Sequence, residues 1–82
     1  MTHLVRVSGA LRDALGGADM VEIEADNIRD LLNRLSERYP AFAAQVDAGV
    51  AVSIDGQIFR DNRSQPIDAG AEVFLMPRLE GG

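Results

Sequence analysis

The chain has no cysteine, no lysine and no tryptophan, and its only histidine is His3. Without cysteine there is no disulfide, no thiolate metal site and no thiol nucleophile within the chain. A single imidazole falls short of the usual cluster of transition-metal ligands, and its place near the chain start predicts a solvated strand-end residue. No stretch approaches the roughly eighteen consecutive apolar residues of a membrane span, and no basic segment followed by an apolar one opens the chain. The expectation is a cytoplasmic protein with neither span nor secretory signal. All eight cations are arginines, set against thirteen acidic residues for a net charge of −5. That balance argues against nucleic acid or an anionic membrane as partner, because neither finds a basic patch to meet it.

What is present fits one small domain. Eighty-two residues with 46% apolar content can build a single core, at the small end of what folds without metal or disulfide help. Leu4 to Ser8 alternates, with Val5 and Val7 on one face and Leu4, Arg6 and Ser8 on the other, which predicts a strand. Leu11, Ala14 and Leu15 follow at helical spacing until Gly16-Gly17 stops them. Met20 to Ala25 alternates again, with Glu22 and Glu24 outward. Two carboxylates so spaced could form an acid–base pair, but nothing near them would split their pKa values, so the reading is a solvated strand face.

The best helix is Ile28 to Tyr39. Asn27 is placed to cap it, Asp30 holds the capping-box position, and Ile28, Leu31, Leu32, Leu35 and Tyr39 form one apolar stripe. Pro40 ends it, and Phe42, Ala43 and Val46 are read as a connector that closes one edge of the core. Val50, Val52 and Ile54 predict a third strand. Asp55-Gly56 is a hairpin signal, Gln57 to Arg60 the return strand, and 61–71 a polar loop. One amphipathic helix against about four to five strands predicts an α+β fold. The first and last strands are expected side by side and parallel at the centre of a mixed sheet.

The chain closes on Val73-Phe74-Leu75-Met76-Pro77-Arg78-Leu79-Glu80-Gly81-Gly82. Val73 to Met76 reads as a buried strand, and Pro77 withholds a ladder donor. Two final glycines add nothing to a fold, and at ordinary glycine usage they coincide by chance in about half a percent of chains. They suit a thin arm that enters a partner's narrow channel and presents a carboxylate there. The expected division is a domain over 1–77 and a flexible tail over 78–82. If Val73 and Leu75 face the helix, Phe74 and Met76 point outward beside Ser8, Arg6 and either Ile58 or Phe59, as a docking surface.

Taken together, these residues resemble the small sulfur carriers of the MoaD and ThiS type, which are ubiquitin-like, β-grasp proteins. The resemblance covers nearly the whole length. It rests on Leu11-Arg12-Asp13, the helix Ile28 to Tyr39, Ile54-Asp55-Gly56, the run from Pro66 to Val73, and Phe74-Leu75-Met76-Pro77 leading to Gly81-Gly82. Family members often carry Pro-Pro where this chain has Pro77-Arg78, a departure that bears on which partner the arm fits.

The resemblance implies a mechanism. A partner adenylating enzyme, using ATP and Mg²⁺, activates the Gly82 carboxylate, and a sulfur donor enzyme converts it to a thiocarboxylate. A larger synthase subunit or another sulfur-accepting enzyme then draws the sulfur off, in molybdopterin biosynthesis as the leading case. Gly81 lets the backbone lie extended in the channel, and Leu79 matches an apolar anchor at its mouth. Such a carrier is not an enzyme and needs no metal or catalytic constellation of its own.

Alternatives are a carrier for thiamine, cysteine or another sulfur-containing metabolite, a protein modifier joined through Gly82 to lysine, or a binding module without tail chemistry. The missing lysines fit codon bias. They also fit a chain that offers its own activated terminus no side-chain amine.

Overall fold

The structure, a computed structural model, describes residues 1–78. Strand β1 spans Thr2–Val7 and β2 Met20–Glu24, joined through a 3-10 helix, Gly9–Leu15. Helix α1 (Ile28–Arg38) and helix α2 (Pro40–Ala48) follow, then β3 (Val50–Ile54), β4 (Gln57–Phe59) and β5 (Val73–Pro77). The five strands form one sheet in the order β2-β1-β5-β3-β4. β1 and β5 run parallel at its centre, and both hairpins are antiparallel. This is the β-grasp arrangement, with α1 as the main helix across one face.

Strand alternation carries the packing. Val5, Val7, Val21, Ile23, Val52, Ile54, Val73 and Leu75 are buried on the helix side. There they meet Ile28, Leu31, Leu32 and Leu35 of α1. Leu31 and Leu35 are fully buried, each contributing about 1.5–3 kcal/mol of transfer free energy. Asn27 caps α1 as its sequence predicts, accepting from the Asp30 N–H at 2.8 Å. The return arm of the box reaches one residue further back, where Asp30 Oδ2 accepts from the Asp26 N–H at 3.2 Å. At the β3–β4 turn Asp55 and Gly56 both have positive φ, 51° and 87°, which matches the right-handed twist of the strands they join.

Two expectations are corrected. The stretch after Pro40, expected only as a connector, is a helix. Pro40 opens α2 at its first turn, where a missing N–H costs nothing, and Phe42 is fully buried against the core. His3 is not solvated: it is 3% exposed, on the same side of β1 as Val5 and Val7. No helix among the described residues is long and apolar enough to cross a membrane.

Candidate carrier arm and docking face

The parallel pairing of β1 and β5 decides where the chain's end emerges. β5 leaves the sheet centre at the end where β1 finishes, with Val7 opposite Leu75 and the Ser8 N–H donated to the Leu75 carbonyl at 2.9 Å. On its other side β5 pairs antiparallel with β3, ending with Pro77 opposite Val50. Pro77 therefore occupies the last rung of the ladder, where its missing donor is tolerated.

Arg78, the next residue, is held at three points. Its N–H donates to the Gly49 carbonyl at 3.0 Å. Its guanidinium donates to both oxygens of Asp61, at 2.8 and 3.4 Å. Its stem lies across Gly49, where an added Cβ would stand 3.3 Å from Arg78 Cβ. Gly49 closes α2 with φ of +118°, a region L side chains rarely adopt. Leu79, Gly81 and Gly82 lie outside the described residues.

The parity expected for β5 holds. Val73 and Leu75 are buried, while Phe74 and Met76 are half-buried on the opposite sheet face. The registers set Met20, Arg6, Phe74, Ser53 and Ile58 in one row across all five strands. Leu4, Met20 and Ile58 on this face are 53%, 49% and 52% exposed. Of the two β4 residues expected here, only Ile58 faces outward. Phe59 points the other way and packs against the core, because it follows Ile58 on a strand and successive side chains alternate. Ser8 is half-buried beside this face, and its Oγ has no hydrogen-bond partner among the described residues.

An open cleft of about 500 Å³ lies where β5 begins, lined by Thr2, Leu4, Arg6, Ser53, Glu72 and Phe74. It sits at the far end of β5 from Arg78, roughly 15 Å away by strand rise, and so takes no part in the arm. Among the described residues no group of three or more His, Cys, Asp or Glu side chains could hold a metal ion.

The sequence had singled out Arg78, Met76, Phe74, Ile58 and Ser8, and the fold brings them to one sheet face and its tail end. It had put Leu4 on the same side of its strand as Arg6 and Ser8 without assigning it to docking, and it had missed Met20 as a member of that face, although strand alternation marks it. It had also missed Gly49 and Asp61 as partners of Arg78. The glycine after an alanine-rich run hinted at a helix end, whereas nothing in the loop marked Asp61.

Solved structures share this architecture. A Pyrococcus furiosus protein assigned as subunit 1 of a molybdopterin converting factor is similar with a TM-score of 0.79 at 22% identity, covering 96% of this chain and 99% of that one. Small archaeal modifier protein 1 from Methanosarcina acetivorans is similar at 0.74 and 20%, covering 99% and 96%. A chain of the complex between subunits 1 and 2 of the molybdopterin-converting factor from Helicobacter pylori 26695 is similar at 0.69 and 20%, with both chains fully covered. No curated protein matches the sequence. The sequence does match the ThiS family over residues 5–82, from the first strand through the terminal glycines. The chain belongs to the ThiS family, whose members are small carrier proteins and not catalysts themselves.

Proposed function

We propose that the chain is a sulfur carrier whose working group is the Gly82 carboxylate, and that it serves molybdopterin biosynthesis. The observation that carries this reading is the family match that runs on past the described residues to Gly82. A central strand followed within a few residues of sequence by Gly81-Gly82 supports it, as does the likeness to two molybdopterin-converting-factor structures.

A carboxylate is a poor electrophile until one oxygen becomes part of a leaving group. The adenylating enzyme supplies ATP and Mg²⁺. The Gly82 carboxylate oxygen attacks the α-phosphorus and pyrophosphate leaves. Sulfur at the sulfide level, from a donor enzyme, then adds to the acyl carbon, AMP departs, and the thiocarboxylate remains. Glycine at 81 and 82 leaves the carboxylate oxygen free to reach the phosphorus and the acyl carbon open to the sulfur. The sheet face around Phe74, Met76 and Ile58 is the surface by which the carrier docks on its adenylating enzyme and on the larger synthase subunit.

A second reading, a protein modifier joined through Gly82 to lysine, is favoured by the likeness to a small archaeal modifier protein. Intact mass of the untagged protein isolated from its own host separates the two. A species with one oxygen replaced by sulfur, localised to the C-terminal peptide, is the expected result. Unmodified carboxylate alongside isopeptide-linked adducts would overturn the carrier reading in favour of the modifier.

A further inference from the structure

We propose that Arg78 and Asp61 clamp the root of the C-terminal arm in the free carrier, which makes both of them positioning residues for activation of Gly82. The proposal rests on the carrier reading above.

Three elements converge on one residue. The end of α2 supplies the Gly49 carbonyl for the Arg78 N–H at 3.0 Å. The segment after β4 supplies Asp61, whose two oxygens take the guanidinium at 2.8 and 3.4 Å. β5 itself brings Arg78 into place, one residue after the Pro77–Val50 rung. An arginine fork on a carboxylate fixes orientation as well as distance, which a lysine at this position would not do. Gly49 is part of the same device, because the Arg78 stem occupies the space where a side chain on residue 49 would stand.

The arm beyond this point is Leu79 to Gly82. Four residues reach at most about 14 Å when fully extended, so the position and tilt of Arg78 bound where the carboxylate can arrive. Holding the root before docking lessens the conformational freedom lost when the arm enters a channel. Arg78 is thus not an idle cation awaiting a partner's carboxylate. It is already engaged, and its engagement faces inward to the carrier.

The test is activation kinetics with the host's adenylating enzyme, reading pyrophosphate release against carrier concentration. The chains compared are wild type, Arg78→Ala, Asp61→Ala and the double variant. Asp61 is solvent-exposed, so the pair is worth only a few-fold. Each single variant is expected to raise KM about threefold to fivefold with kcat unchanged. The double variant is expected to be no worse than either single, as for two residues that act as one unit. A normal KM for Asp61→Ala, multiplying effects in the double variant, or a fall in kcat at unchanged KM would each overturn the clamp, and the first two would place Arg78 against the partner instead. A wild-type chain that is not turned over at all overturns the carrier reading and the clamp with it, and that result needs no variant.

Discussion

His3 donates from Nε2 to the carbonyl oxygen of Ala25 over 3.0 Å, deep between β1 and the end of β2. The acceptor is a carbonyl, so Nε2 carries the proton. The bond fastens the open end of the first hairpin, next to the Ala25 N–H that donates to the Met1 carbonyl at 2.9 Å. Replacing His3 with Ala removes a buried ring and leaves a buried carbonyl without its side-chain donor. We expect a loss of about 2–3 kcal/mol in urea unfolding, and a smaller loss for His3→Phe, which keeps the volume. Equal losses would mean that the volume of the ring contributes nothing, and an unchanged His3→Phe that the hydrogen bond contributes nothing.

Two glycines with positive φ should respond differently to alanine. At Gly56 the backbone is strained but an added Cβ meets nothing within 4 Å, so Gly56→Ala is expected to cost about 1–2 kcal/mol. At Gly49 the same kind of strain is joined by contact with the Arg78 stem. Gly49→Ala should cost more, and in hydrogen exchange it should also loosen the Arg78 amide. Comparable unfolding midpoints for the two variants would contradict this.

Asn27→Ala removes the side-chain oxygen that caps α1. The expected cost is about 1 kcal/mol, read from thermal or urea unfolding. Asp30→Asn should cost less, because an amide oxygen can still accept from the Asp26 N–H.

Ile58 and Phe59 are chain neighbours on opposite faces of β4, which allows binding and stability to be separated. Ile58→Ala should weaken docking to the adenylating enzyme several-fold in a titration while leaving the unfolding midpoint in place. Phe59→Ala should do the reverse, costing about 2 kcal/mol of stability. Loss of binding from both, with no loss of stability, would mean that Phe59 also belongs to the docking surface.

Deleting Gly82, or changing Gly81 to a bulky residue such as Phe, should abolish thiocarboxylate formation in the mass assay. The unfolding midpoint should stay where it is, since the core closes with Leu75. A variant that still acquires sulfur would contradict the role given to the two glycines.

Much of this fold was legible because the strands face two different environments. In β1, β2 and β5 every second residue is buried, so alternation alone oriented Val5, Ile23 and Leu75. His3 was misread because its polarity outweighed its parity, although it stands two residues before Val5 on the same side. Helix α2 was hidden for a different reason. Its Pro-Ala-Phe-Ala-Ala run is apolar nearly all round, so Phe42 and Val46 stand out poorly as a stripe. Pro40 signals the end of one helix as readily as the start of another. The tie between Asp61 and Arg78 could not be read at all. The two are seventeen residues apart, and only the sheet brings them together.

The central place of β5 has a consequence for how the chain acquires its shape. Among the described residues the two hairpins, β1–β2 and β3–β4, do not pair with each other, and both lean on a strand that follows them in the chain. A nascent chain that stops short of Val73 holds two separate ribbons and an α1 with half a surface to cover, none of which is stable alone. Closure of the sheet waits on the most distant strand pairing in the sequence, which slows folding. The strand that follows the other four is therefore also the keystone, and only a chain translated through β5 has a folded body.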